Sequence, residues 1–318
     1  MGRKSDGGSG RIRSPRIRKG AYGYGMGGDA ELLVDFLIRV DVRGEDFMGN
    51  PFTARVGSVL SADIAVPDYE RELRFYSRVL RTGDQPLWRE DGMSNLGLPI
   101  IGLAPVSEEY AQLPLQWMPH IQVADVTESV QRALALGGRE VMQATDDDGT
   151  VQWAVLLDPN GAAFGLIPVV PEEQLPSLED LPAEEVEGMG RITWLDLTVP
   201  DAAKAKDFYR QVVGWTWQEV EMKEGNVSYS DYQMLGEDGT AAAGICHARG
   251  VNAELPPVWL IYLPVGDLAE SIHLVDEEGG EVLKTVKDDG KYAYAVIKDP
   301  VGVCLALVQA GMCCGSDT

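Results

Sequence analysis

The sequence predicts an α+β fold built as a tandem duplication, each half holding two strand–helix–strands units. Three observations carry that reading: an internal repeat, a switch from period-2 to helical spacing of apolar residues in each block, and turn residues recurring in the same order. Residues 62–83 (ADIAVPDYERELRFYSRVLRTG) align without gaps on 195–216 (LDLTVPDAAKAKDFYRQVVGWT), with seven identical pairs. Among them are Val66-Pro67-Asp68 with Val199-Pro200-Asp201 and Phe75-Tyr76 with Phe208-Tyr209. Further along, Trp117, Val123, Asp125, Glu128, Ser129 and Gly137-Gly138 match Trp259, Val265, Asp267, Glu270, Ser271 and Gly279-Gly280. Asp147-Asp148-Gly149 and Asp158-Pro159-x-Gly161 match Asp288-Asp289-Gly290 and Asp299-Pro300-x-Gly302. An order held through three blocks marks a duplication.

Each element follows from local pattern. Leu60, Ala62, Ile64 and Val66 alternate with Ser61, Asp63 and Ala65, the period of a half-buried strand. Asp68 stands at a helix N-cap, and Tyr69, Leu73, Tyr76 and Leu80 make the helical stripe behind it. The second unit repeats the pattern. Ile121 and Val123 flank Gln122, Asp125 caps, and Val126, Val130 and Leu134 are expected along one helical face. Gly137-Gly138 should end that helix, glycine being suited to the left-handed C-terminal position. Short strands follow, joined by turns at 147–149 and 158–161.

Charge and composition divide the chain and exclude some functions. Fifty acidic against 27 basic residues leave a net charge of −23, which disfavours nucleic acid because its phosphates would be repelled. No apolar run reaches the roughly 18–20 residues of a membrane span. Four cysteines in 318 residues make no disulfide scaffold, and no signal-peptide core follows the N-terminus, so a cytoplasmic protein is expected. Residues 1–53 read as a disordered, basic and glycine-rich arm with a lead-in. The arm is Arg-rich, as targeting peptides are, but lacks their amphipathic pattern. Residues 170–189, acidic and broken by Pro171, Pro176 and Pro182, read as an interdomain linker. The expected domains are therefore 54–169 and 190–310, with a polar tail at 311–318.

A strand ending Val-Pro-Asp before a helix with Phe-Tyr, then "VxD…GG", then "DPxG" before a last strand, resembles the vicinal oxygen chelate superfamily. This is the glyoxalase, bleomycin-resistance and extradiol-dioxygenase group. The resemblance covers both halves, about 54–169 and 190–310, and implies paired βαβββ units whose sheets curl into a cup. It also implies a divalent metal at the cup floor, bound by His or Glu on the first and last strands of the units. Here the matching positions are Ser61 and Trp194, Met118 and Leu260, and Gly165 and Ala306. None is an imidazole or a carboxylate, while a catalytic metal needs about three such ligands. No metal site is therefore predicted and no cofactor expected. One family position, on the last strand of each first unit, cannot be aligned from one sequence.

Strand parity supplies a second set of candidates. If Leu60, Ala62, Ile64 and Val66 pack under the helix, Ser61 and Asp63 face the first cup, joined by Met118, His120 and Gln122. By the same alternation Trp194 and Asp196 face the second cup with Leu260 and Tyr262, and Cys304 shares the parity of Ala306. Asp63, His120 and Asp196 are thus the candidate catalytic groups, and Ser61, Met118, Trp194, Leu260, Tyr262 and Cys304 the candidate ligand-binding ones. An inward Asp can equally be a satisfied structural acceptor, and the five tryptophans at 117, 194, 215, 217 and 259 are most simply packing residues. His273 is expected on a helix surface, and His247 and Cys246, adjacent on a strand, should point apart.

Three readings follow. The first is a small-molecule binding protein of the glyoxalase/bleomycin-resistance type, its ligand cationic or aromatic because the protein is acidic and its cups aromatic. The second is a lyase, isomerase or dioxygenase-like enzyme using Asp63 and His120 or Asp196, with or without a relocated metal. The third is a structural or protein-interaction role with closed cups. A monomer or homodimer is expected, since the duplication can supply within one chain the pairing that single domains make between chains.

Overall fold

In the computed structural model, residues 54–81, 88–89, 92–95, 98–108, 110–171, 192–288 and 291–310 are described. The N-terminal arm through residue 53, the linker from 172 onward and the tail from 311 lie outside them. The first domain runs β1 (Val59–Val66), α1 (Tyr69–Val79), β2 (Trp88–Arg89), β3 (Gly92–Asn95) and β4 (Leu98–Pro105). Its second unit runs β5 (Met118–Val123), α2 (Val126–Ala135), β6 (Arg139–Thr145), β7 (Val151–Leu157) and β8 (Ala163–Pro168). The second domain repeats this with β9 (Trp194–Val199), α3 (Ala202–Val213), β10 (Thr216–Glu224), β11 (Val227–Leu235) and β12 (Ala241–His247). Then come β13 (Trp259–Val265), α4 (Leu268–Glu277), β14 (Glu281–Asp288), β15 (Lys291–Lys298) and β16 (Cys304–Gln309). The two eight-stranded sheets have the same order, β2-β3-β4-β1-β5-β8-β7-β6 and β10-β11-β12-β9-β13-β16-β15-β14. In each, the two units meet along their antiparallel first strands, Ser61 opposite His120 and Leu260 opposite Asp196.

The four α-helices of the described residues start the same way. The carboxylates of Asp68, Asp125, Asp201 and Asp267 accept from the backbone N–H three residues on, which satisfies one of the open donors of each first turn. In α2 the apolar face differs from the expectation. Val126 and Val130 are buried as expected, but Leu134 is 45% exposed and Ser129 and Ala133 complete the buried face. The stripe turns toward Ala133 because α2 packs against α3, and a close helix pair favours a small residue at the contact. Gly137 takes φ 90°, and the Gly138 N–H returns to the Ala133 carbonyl at 2.8 Å, ending the helix as its glycines require.

The helix-bearing faces of both sheets share one core, with α1 against α4 and α2 against α3. The repeated motifs meet across that boundary. The Tyr76 hydroxyl donates to Asp299 at 2.8 Å, and the Tyr209 hydroxyl lies 3.4 Å from Asp158, so each Phe-Tyr helix reaches the DPxG turn of the other domain. The Trp259 indole N–H donates to the Tyr209 oxygen at 2.9 Å. The residues just before β1 also rest on domain two. The Trp215 N–H donates to the Gly57 carbonyl at 2.8 Å, where a Cβ on residue 57 would collide with the Trp215 ring. Trp117, Trp215 and Trp259 are wholly buried, but Trp217 is 40% exposed beneath the Lys206 ammonium, 4.4 Å from its ring, and is not a packing residue.

Candidate functional site

Strand alternation leaves the other face of each sheet for the cups. In the second domain Leu195, Leu197 and Val199 join the shared core, while Trp194, Leu260, Tyr262, Cys304 and Ala306 gather with Tyr294 and Val296 in a separate cluster. Within it, Asp196 is buried and accepts from the Trp194 N–H at 2.7 Å and from the Tyr262 hydroxyl at 2.8 Å. Burial pushes its carboxyl up to about 7; the two hydrogen bonds and the Lys284 charge oppose the rise, and Asp231 adds to it. A pocket opens beside it, lined by Asp196, Thr198, Cys246, Leu260, Tyr262 and Lys284, with Tyr294 and Val296 on one wall and Asn252 and Leu255 on another. It is a narrow recess, with room for about one water, far below the usual 300–1,000 Å³ of ligand sites. Cys304 lies in the cluster but not on the pocket; burial pushes its thiol up to about 11.

Sequence reasoning missed Lys284, Tyr294 and Asn252. Lys284 and Tyr294 come from β14 and β15, and Asn252 from the short 3-10 turn Gly250–Asn252. The Lys284 ammonium donates to the Asn252 Oδ1 at 2.9 Å and sits 5.5 Å from the Tyr294 ring centroid. Parity could have found Tyr294, two strands from Tyr262; nothing local marked the lysine. At the far edge Asp231, also buried, accepts from the His247 backbone N–H at 2.8 Å and pairs with its Nδ1 at 3.0 Å. Cys246 lines the pocket while the His247 ring packs on Tyr229. His273 is exposed on α4 and pairs with Glu277.

The first cup repeats the diagonal with different chemistry. Asp63 and His120 occupy the positions of Asp196 and Tyr262, and His120 Nε2 lies 3.5 Å from Asp63 Oδ2. On its other side Nδ1 is 2.9 Å from the Ser61 hydroxyl, so Ser61, His120 and Asp63 form one chain of contacts. The Asp63 side chain is 47% exposed, unlike Asp196. Gly165 lies directly opposite His120 on β8, and a Cβ there would fall 2.4 Å from His120 Cδ2. The imidazole thus fills the space above Gly165. Met118 is buried apart from this chain, with Val155 and Ala163.

The donor set does not fit the metal that the fold implies. Ser61, Met118, Gly165, Trp194, Leu260 and Ala306 stand at the matching strand positions. The strand that the sequence left unaligned puts Gly102 beside Asp63 and Gly244 beside Asp196, and its one potential ligand facing the second pocket is the Cys246 thiol. Among the described residues, no three His, Cys, Asp or Glu side chains gather within metal-binding reach. Among them, too, no helix is long and apolar enough to cross a membrane.

Two mixed sheets of paired βαβββ units define the class, and the family profiles agree with it. The Glyoxalase-like domain matches residues 60–167, and the Glyoxalase/Bleomycin resistance protein/Dioxygenase superfamily matches 191–307. The chain belongs to this superfamily, with two tandem domains. It is 31% identical over 122 residues to a protein of Mycobacterium tuberculosis (strain CDC 1551 / Oshkosh) named for a glyoxylase, CFP32, covering 38% of this chain and 46% of that one. It is 28% identical over 141 residues to anthracycline biosynthesis protein DnrV of Streptomyces peucetius, covering 40% and 50%. The chain thus spans about half the length of these curated relatives. Among solved structures, the Mn(II)-bound glyoxalase from Novosphingobium aromaticivorans superposes with a TM-score of 0.49 at 15% identity, over 80% of this chain and 82% of that one.

Proposed function

We propose that the chain binds a small organic molecule in its second cup, without the divalent metal of the wider family. The observation that carries this reading is the buried carboxyl of Asp196, beside a narrow recess on the cup face of the second sheet. A carboxyl buried at a cost to stability and hydrogen-bonded to two aromatic side chains is the kind of group retained for a ligand rather than for packing. The lack of imidazole or carboxylate at the family's strand positions supports binding without a metal. Relatives named for a glyoxylase and for anthracycline biosynthesis support a small organic ligand over a macromolecule. The pairing of the two domains within one chain supports a monomer. The test compares small molecules released on denaturing the wild type and Leu260→Trp, which fills the pocket. A compound present in the first and missing from the second is expected; identical extracts would defeat the proposal.

A specific observation favours a second reading for the first cup. The Ser61–His120–Asp63 chain of contacts could pass a proton to a ligand held at the partly exposed Asp63. A lyase or isomerase activity lost in both Asp63→Asn and His120→Gln, with folding intact, would establish it.

A further inference from the structure

Among the described residues, Glu72 is the least exposed acid, and it belongs to neither cup. It stands on the face of α1 that enters the shared core with Phe75, Tyr76 and Val79. Neither of its oxygens meets an N–H or O–H donor. An ionised carboxylate placed there would lose its water and gain no bond in return, so the group is held neutral instead. What Glu72 does meet is a second carboxyl, that of Asp299 in the DPxG turn of the other domain. Asp299 is also buried, and its oxygens are already used. Oδ1 accepts from the Val301 and Val303 N–H groups at 3.1 and 2.7 Å, and Oδ2 from the Tyr76 hydroxyl at 2.8 Å. Those bonds favour the ionised form of Asp299. Two acids in such contact cannot both carry a charge, so one proton lies between them, with Glu72 as the donor. The other charges around Glu72 come from its own helix: Arg71 favours its ionisation and Asp68 opposes it. α4, packed on α1, turns Glu278 to Arg74 and Arg78, and β4 holds no charged residue. The second boundary differs. There Tyr209 and Asp158 stand for Tyr76 and Asp299, but the position of Glu72 is Ala205.

We infer that the proton shared by Glu72 and Asp299 is a latch between the domains, holding α1 against domain two at neutral pH. Its loss at alkaline pH releases the α1–α4 boundary and leaves the α2–α3 boundary shut. Burial, then the Asp299 charge, push the Glu72 carboxyl up to about 9, so the latch is closed at pH 7 and opens as pH climbs through 9. The proton leaves to solvent, and two like charges then face each other across the boundary with no donor to spare for Glu72. The Tyr76 hydroxyl does not replace the proton, because it stays on Asp299 and burial keeps it neutral. The released turn leads into β16, the strand that carries Cys304 and Ala306 into the second cup.

The experiment follows the proton and the boundary together in the full chain. Infrared absorption reads the acid through its carboxylic-acid C=O stretch. Spin labels read the two boundaries in a Cys313→Ser, Cys314→Ser background, through Glu70→Cys with His273→Cys on α1 and α4, and Gln131→Cys with Lys204→Cys on α2 and α3; all four positions are exposed. At pH 8, where Asp196 is largely ionised, the protein with Glu72 should show a carboxylic-acid band that Glu72→Gln lacks. Between pH 8 and 10 that band should vanish, and the α1–α4 distance should lengthen over the same interval. The α2–α3 distance should stay constant. In Glu72→Gln, whose amide donates to Asp299 without titrating, neither distance should change. Thermal melts confirm that the variant is folded; if it is not, Glu72→Ala, which copies Ala205, takes its place with the same expectation. No Glu72-dependent band at pH 8, loss of the band without a change in the α1–α4 distance, an equal change at both boundaries, or the same change in Glu72→Gln overturns the inference.

Discussion

Replacing Asp196 by Asn should stabilise the protein at neutral and alkaline pH. The amide keeps both contacts, its oxygen accepting from Trp194 and its N–H donating to the Tyr262 oxygen, but cannot ionise. The wild-type carboxyl has a folded pKa near 7, against about 3.9 for an unfolded Asp. Because the folded value is raised, the stability it confers is fully present below about 3.9 and is lost as pH climbs through 7. At about 1.4 kcal/mol per unit, tapering near the folded value, the wild type should lose about 2.5 kcal/mol between pH 5 and 8 through this group alone. The other buried acids, Asp158, Asp231 and Asp299, are shifted in the same direction but are common to both proteins and cancel in the difference. Urea unfolding of both proteins at pH 5, 6, 7 and 8 reads this directly. The two stability curves should diverge by about 2–3 kcal/mol across the range, or about 5–10 °C in melting temperature. Parallel curves would refute a buried, titrating Asp196 and remove the reason for regarding it as functional.

The other predictions concern the shared core and the first cup. Glu72 is wholly buried next to Asp299, and burial, then the Asp299 charge, raises its pKa; the second domain has Ala205 at that place. Glu72→Gln should therefore raise neutral-pH stability and flatten the decline above about pH 4.5, with no gain at pH 4, as differential scanning calorimetry can show. Tyr209→Phe should cost about 1–3 kcal/mol in urea unfolding, because it strands the Trp259 N–H as well as losing the contact with Asp158. Gly165→Ala should push the His120 ring off Ser61, at a cost of about 1–3 kcal/mol if the strand cannot yield. Changed His120 ring shifts in NMR would show the displacement, and unchanged shifts would contradict it.

The parts of this fold that depend on short-range rules were legible in the sequence. Four Asp caps, the glycine stop at 137–138 and the alternation that sends Trp194 one way and Leu195 the other are all set within a few residues. The same alternation brought Asp63 to His120 and Asp196 to Tyr262, because the first strands of the two units are neighbours. What could not be read depends on distant packing. Lys284 and Tyr294 lie almost 100 residues from Asp196, and only sheet order brings them to its side. The space above Gly165 looks like a lost ligand in the sequence, yet the structure fills it with His120. Leu134 and Trp217 fit apolar patterns, but helix pairing turned one outward and cation stacking holds the other at the surface. The bond between Tyr76 and Asp299 joins two motifs that a sequence can show to be repeated but not to be partners.

The central claim is a second cup that holds a small organic molecule and no divalent metal. A native mass spectrum of the full-length, untagged protein, purified without chelators, tests it most directly. The expected spectrum shows the chain with one additional small organic mass that is lost on denaturation, and no stoichiometric metal. A chain carrying one iron, zinc, manganese or nickel ion per molecule, or a bare chain under all purification conditions, would contradict it.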